Sequence, residues 1–382
     1  MRQRKNIWRM AALLTAAVSA ANLCLTEAKA MPVTEENILA LLDEYDPDGA
    51  YILRESFSRR ENVLGWFEKE NDILADIDTA VHEETHRYTF RSHSLKQEDI
   101  YIGGQQHICV KYTNVFDSTE MSGEIPEELR TSRFDTYIGS PEQNLASNID
   151  GIYGLLNEFN AYSWGMNTTV SLYDCYWAAA ESPLDWDGYI LQSCNDRQAY
   201  GDFNYYILKY LLYAQKHHPD IYRDIIANES FREAYQITEG RYRALIAKWE
   251  QQTAEIMERC HIEKASAYLF DDQYRRLINE ISKPEYRAVY RLLCGTDMPD
   301  MRGTVQESDN AAEAANDSIL MTANNVKTYN TITNDKDTDG GQDWWRSLLI
   351  IGGIVAGAVI FVLILTAIDN TWTDKMNSRT CK

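Results

Sequence analysis

The stretch Ala80–Tyr88, AVHEETHRY, restricts this chain more than any other, because it sets His82 and His86 four residues apart with Glu83 beside the first. On an α-helix, positions i and i+4 lie one above the other on a single face. Two imidazoles so placed can hold one metal ion, and the adjoining carboxylate stands where it can take a proton from a water at that ion. Ile73, Leu74, Ile77, Ala80, Val81 and Tyr88 recur at helical spacing around the motif, with Asn71 or Asp72 as the expected cap. Upstream on the histidine face stand Ala75, Asp78 and Thr79, small or polar residues expected to line a cleft without filling it. The plain alternative is a solvated amphipathic helix on which the histidines do nothing.

A catalytic zinc takes three protein ligands and keeps one position open. His93 is the nearest further donor, but it follows His86 by seven residues and Thr89 stands where HExxHxxGxxH requires glycine. That arrangement also places its third histidine one residue earlier, so His93 is rejected. The better donor is Glu158, in SNIDGIYGLLNEFNAY, Ser147–Tyr162. Ser147 with Asp150 reads as a helix start, and Ile149, Ile152, Leu155, Leu156 and Phe159 supply the apolar positions. Gly151, Gly154 and Ala161 share the face of Glu158. Glycine inside a helix costs about 1 kcal/mol relative to alanine, and close approach of a second helix is a reason to bear it. The expected neighbour is the HEETH helix.

HExxH on one helix followed by NExxAY on a second resembles the gluzincin branch of the zincin metallopeptidases. The resemblance covers roughly Asn71–Tyr162. It implies that His82, His86 and Glu158 bind zinc and that Glu83 is the catalytic general base, with Asn157, Ala161 and Tyr162 around the third ligand. Some gluzincins carry an aspartate four residues after that ligand to orient a histidine; here the position is Tyr162, and the orienting partner is open. Tyr162 is the expected catalytic hydroxyl for the oxyanion, while spacing also allows Tyr173, His217, His218 and His261. His107 is a reserve ligand.

The N-terminal segment 1–30 carries Arg2, Arg4, Lys5 and Arg9, an apolar run from Met10 to about Leu25, and a small-x-small ending at Ala28-Lys29-Ala30, as a secretory signal peptide does. An uncleaved anchor is the alternative. Without that segment 32 basic and 57 acidic side chains remain, a formal charge of −25, and so acidic a chain has no electrostatic footprint for nucleic acid.

Residues 31–297 are expected to form the ectodomain, with a motif-bearing lobe at 31–145 and a helical lobe at 146–297. Glu35–Leu42 reads as a helix, Asp46-Pro47-Asp48-Gly49 as a turn, and Asp99–Ile102 and His107–Tyr112 as a β-hairpin around Gly103–Gln106. By resemblance this hairpin is the candidate edge along which an extended peptide lies. The turn-rich segment from Phe116 to Ser147 borders the cleft as a wall or lid, or simply connects. Helices are expected at Phe203–Lys216, Tyr222–Thr238, Gly240–His261 and Lys264–Leu293, the last broken at Lys283-Pro284. Five cysteines remain, and Cys175 and Cys194 can pair or stay as buried thiols.

Residues 298–346 are acidic and poor in large apolar groups, as a disordered stalk is. Within them Asp335, Asp337, Asp339 and Gly340 reproduce the opening of a calcium loop, although Arg346 stands where the closing glutamate belongs, so a Ca2+ site competes with a plain acidic stalk. The uncharged run Ser347–Ile368, 22 residues long and flanked by Trp344, Trp345 and Trp372, reads as a transmembrane helix with a cytoplasmic tail at 369–382. Gly352, Gly353 and Gly357 offer a homodimer face in the membrane.

The expected class is α+β: a zincin-like metallopeptidase domain with a small β-sheet and a predominantly helical C-terminal lobe, followed by one transmembrane helix. The expected role is a single-pass, cell-surface zinc peptidase acting on a peptide or protein substrate. Two rivals stand beside it: an inactive zincin-fold binding or sensing module, and a helical surface-interaction protein carrying HExxH by accident.

Overall fold

The computed structural model describes residues 31–91, 96–139, 146–180, 186–299 and 301. The expected signal peptide, the stalk from residue 302 on with Asp335, Asp337 and Asp339, the apolar run Ser347–Ile368 and the tail lie outside the described residues, as does His93, while Met298 at the head of the expected stalk is buried against the core. Among the described residues no helix is long and apolar enough to cross a membrane.

Thr34 accepts a hydrogen bond from Asn37 N and starts α1, Glu35–Tyr45, which buries Ile38, Leu41 and Leu42. Asp46 then caps α2, Pro47–Ser58, by accepting from Gly49 N at 3.1 Å, with Pro47 at the first helical position. The four residues read as a turn are thus the start of a second helix, because proline at N1 loses a donor that has no partner there anyway. A 3-10 turn at Ile73–Ala75 precedes the motif helix α3, Ile77–Phe90, and the helix starts at Asp76 instead of the expected Asn71 or Asp72.

The hairpin pairs β1, Gln97–Gly103, with β2, Gln106–Lys111, in antiparallel register with Ile100 opposite Ile108. Gly104 and Gln105 close it with φ of +59° and +62°, a turn whose twist suits the two strands. Two 3-10 turns, Ser118–Glu124 and Glu127–Leu129, lead to the short α4, Ser132–Tyr137.

A turn of helix, α5 at Ala146–Ile149, ends before the long α6, Ile152–Ser171. Gly151 is therefore not inside the helix but its cap, with φ +56° and ψ −124°. A Cβ there would sit 2.6 Å from both Phe116 O and Tyr210 Oη, so both backbone angle and space demand glycine. Helix α6 is buried nearly all round, and that makes it the axis of the domain. Around it stand α3, α7 at Tyr173–Ala179, α8 at Asp187–His217 and α10 at Glu229–Cys260, while α9, Pro219–Ala227, packs on α8 and α10. Phe159 of α6 meets the rings of Tyr200, Tyr235 and Tyr242 from α8 and α10. The short α11, Lys264–Ala267, and the helices α12, Asp271–Ile281, and α13, Pro284–Cys294, complete the described chain.

Two helices run further than their sequence pattern suggests. Helix α8 begins at Asp187 instead of Phe203, because its first half buries polar residues and packs on later helices: Arg197 pairs with Asp271 at 2.9 Å, and Tyr242 Oη donates to the backbone oxygen of Asp196 at 2.6 Å, while Asp196 Oδ2 is buried without a partner among the described residues. Helix α10 passes through Gly240 without a break, its packing outweighing a glycine penalty of about 1 kcal/mol. Cys175 and Cys194 are buried free thiols, so the disulfide that the sequence allowed is not made.

The end of α8 is tied to the Ser118–Glu124 turn by Glu124, which accepts from Lys209 at 3.0 Å, Lys216 at 2.9 Å and His217 at 3.0 Å. These bonds, that from Lys216 foremost, pull its carboxyl from 4.5 down to about 2. A carboxyl lowered on folding adds stability above its unfolded pKa and loses it as the pH falls through the folded value. The urea midpoint of Glu124→Gln is therefore expected to lie below wild type at about pH 6 and to merge with it between about pH 4.5 and pH 2. A gap that persists at the acid end assigns Glu124 a packing role only.

Candidate metal centre

Helix α3 divides its residues among three surroundings. Ile77, Val81 and Tyr88 enter the core. On the outer side the buried Glu84 accepts from Trp66 Nε1 at 2.8 Å and from Arg87 at 2.6 Å, fixing the helix to the N-terminal elements. The third side turns His82 and His86 toward α6.

Helix α6 nears α3 at Gly165, where an added Cβ would lie 3.4 Å from Asp78 O and 3.6 Å from His82 Cβ, ordinary contacts that alanine would also make. Gly165 is seven residues beyond Glu158 on the same face, whereas Gly151, foreseen with Gly154 as a point of close approach to the HEETH helix, instead caps α6 against Phe116 and Tyr210. The consequence for the upstream face is that Asp78 lines no cleft: it is buried and accepts from Gln192 Nε2 at 2.8 Å.

His82 Nε2 and His86 Nε2 lie 3.1 Å apart, and Glu158 Oε2 lies 3.4 Å from His86 Nε2. All three donor atoms fall within 4.8 Å of one another. Nitrogen ligands about 2.0–2.1 Å from a tetrahedral zinc stand about 3.3 Å apart, which matches this spacing. Glu158 Oε2 is buried, and the His86 ring 3.4 Å away pairs with it only when that ring is protonated. With the ring neutral the buried carboxylate oxygen is left without a donor, which is costly, and a cation removes that cost. The donor set therefore fits a divalent ion of zinc type.

Asn157 answers the question of the orienting partner. Its Oδ1 lies 3.1 Å from His86 Nδ1. A carbonyl oxygen accepts only, so the proton of the neutral ring sits on Nδ1 and the Nε2 lone pair faces the centre. Asn157→Leu removes that restraint and is expected to weaken zinc binding by about 10–100-fold, read by competition with a chelator. Unchanged affinity would take Asn157 out of the centre.

Electrostatics follow burial. Desolvation, then the neighbouring His86 and Arg133, hold His82 well below its ordinary pKa. Desolvation also pulls His86 down, but Glu158, Glu83 and Asn157 together outweigh it and carry the ring up to about 9. Glu83 is raised to about 7, chiefly by desolvation, with Glu158 adding to it. Edge-on to the His82 ring, with centroids 4.3 Å apart, lies Tyr162. Its hydroxyl is 3.5 Å from that of Tyr137, and the Arg133 guanidinium lies 4.7 Å from its ring. Burial, and then Glu158, hold the Tyr137 phenol well above its usual value, so it stays a donor.

Tyr137 and Arg133 come from the turn-rich segment, where no periodicity marked them and the sequence left a cleft wall and a plain connection both open. The remaining expected groups stand elsewhere. His107 is 3.5 Å from Tyr88 Oη and 3.9 Å from Asp99, on the hairpin. His217 and His218 pair with Glu124 and Glu120. His261 caps α10 with φ +55°, and Tyr173 packs among Trp177, Trp186 and Tyr189.

No family model matches this chain, and neither a curated protein nor a solved structure does.

Proposed function

We propose that the chain is a zinc-dependent peptidase, with His82, His86 and Glu158 holding the ion and Glu83 as general base. The observation that carries this is the convergence of three donor atoms from two helices 72 residues apart in sequence, counted from His86 to Glu158, with one of them a buried carboxylate oxygen that has no donor while His86 is neutral. When bound, zinc supplies Lewis-acid polarisation of a carbonyl and makes water nucleophilic at neutral pH. The Glu83 carboxylate removes the proton of the attacking water and later returns it to the leaving amine. Tyr162, with Tyr137 beside it, donates an O–H to the oxygen that gains negative charge. Asn157 fixes the His86 tautomer. Cell-surface placement through Ser347–Ile368 and a peptide or protein substrate belong to the same proposal.

Elemental analysis of the purified full chain tests it. About one zinc per chain in wild type and loss of zinc in Glu158→Ala are expected. A folded wild type that takes up no zinc rejects the peptidase and leaves HEETH as a chance motif on a helical protein.

A further inference from the structure

Three groups pack the ring of Tyr162 at the metal centre. The His82 ring stands edge-on to it with centroids 4.3 Å apart, the Phe203 ring lies 5.4 Å away, and the guanidinium carbon of Arg133 stands over it at 4.7 Å. Helix α8 is behind two of the three, since Phe203 belongs to it and Arg133 is bonded to it. A cation within about 6 Å of a tyrosine ring is attracted to its face, so guanidinium and phenol hold one another.

Arg133 is itself fixed at both ends of its fork. Its Nη1 donates to Asp202 Oδ2 at 3.3 Å, and its Nη2 donates to Asn195 Oδ1 at 2.7 Å and Asn195 O at 3.0 Å. Asn195 and Asp202 are seven residues apart and so share one face of α8. Thr131 ties down the main chain as well: its Oγ1 accepts from Arg133 N at 3.2 Å and donates to Asp202 Oδ1 at 2.9 Å. The guanidinium is buried and has one orientation, and what it stands over is fixed with it.

We propose that Arg133 is a positioning residue, which transmits the register of α8 to the Tyr162 ring and so sets where the phenol hydroxyl stands. The proposal rests on the peptidase reading, in which that hydroxyl donates to the oxygen gaining negative charge. A donor must stand about 2.7–3.1 Å from that oxygen, and a misplacement of about 1 Å costs on the order of 10²-fold in rate. Arg133 is not among the converging metal donors and acts through Tyr162. Lysine keeps the charge but has no planar fork to bridge Asp202 and Asn195.

The test uses the full-length chain. Arg133→Met is expected to lower kcat by about 10–100-fold, with KM within about twofold of wild type and zinc content unchanged, and Arg133→Lys to restore only part of the loss. In a Tyr162→Phe background Arg133→Met is expected to cost at most about twofold more, because the group it acts through is gone. Full losses that multiply in that background would make Arg133 a packing residue and overturn the proposal. A second readout needs no turnover: 19F NMR of the chain carrying 3-fluorotyrosine in place of Tyr162. Its resonance is expected to split or broaden by exchange in Arg133→Met, as the ring gains a further rotamer. A resonance of unchanged number and width overturns the positioning role. A wild type that is zinc-free or inactive sinks the peptidase reading, and the resonance still decides for or against Arg133. Should Arg133→Met fail to fold, Arg133→Met/Asp202→Leu, which strands no charge, replaces it in both measurements.

Discussion

Glu83→Gln is expected to lower kcat/KM on a cleavable peptide by about 10²–10⁴-fold while zinc content stays at the wild-type level. The substitution keeps the shape of the side chain and removes its capacity to hold a proton. Glu83 is not among the three converging donors, so the ion has no reason to leave. The pair of outcomes separates chemistry from binding: Glu158→Ala loses metal and activity together, Glu83→Gln loses activity alone. The measurement is turnover of a peptide library by the wild type and both variants, with zinc content determined on the same samples. Wild-type turnover in Glu83→Gln removes the general base from the proposal.

Asp202→Ala is expected to lower folding stability by about 3–5 kcal/mol, because it leaves the Arg133 guanidinium buried without its carboxylate. Asp202 is fully buried, accepts from Thr131 Oγ1 at 2.9 Å and stands 3.3 Å from Arg133 Nη1. Burial alone lifts its carboxyl to about 6 against the opposing pull of Arg133, which shows how unfavourable the setting is for either charge by itself. Denaturant unfolding of Asp202→Ala, Arg133→Met and the double variant Asp202→Leu/Arg133→Met checks this. The double variant is expected to recover much of the loss, since no charge is then stranded. A stability change below about 1 kcal/mol in Asp202→Ala would mean that Asn195, which accepts from Arg133 Nη2 through both Oδ1 and its backbone oxygen, carries the guanidinium unaided.

The hairpin was readable from alternation and from the Gly-Gly-Gln-Gln turn, because a two-residue loop and a period of two are local properties. The motif helix was readable for the same reason, with its N-terminus displaced to Asp76 by the 3-10 turn at Ile73–Ala75. The start of α8 was not. Its Asp196 and Arg197 look solvated in sequence and are buried in the fold, where Arg197 pairs with Asp271 from a helix 74 residues later in the chain. A partner that distant leaves no local trace.

The candidate centre divides along the same line. Sequence by itself determined that His82 and His86 share a face with Glu83 alongside, since helical spacing fixes that relation within one segment. It also singled out Glu158 by the small residues on its face, and Asn157 and Tyr162 only through the resemblance to the gluzincin pattern. Tertiary structure alone decided that Gly151 caps α6 against Phe116 and Tyr210 instead of facing α3, that Asn157 accepts from His86, and that Tyr137 and Arg133 reach the same recess. These are contacts between segments whose packing depends on the whole core, and helical periodicity carries no information about which face of one helix meets which face of another.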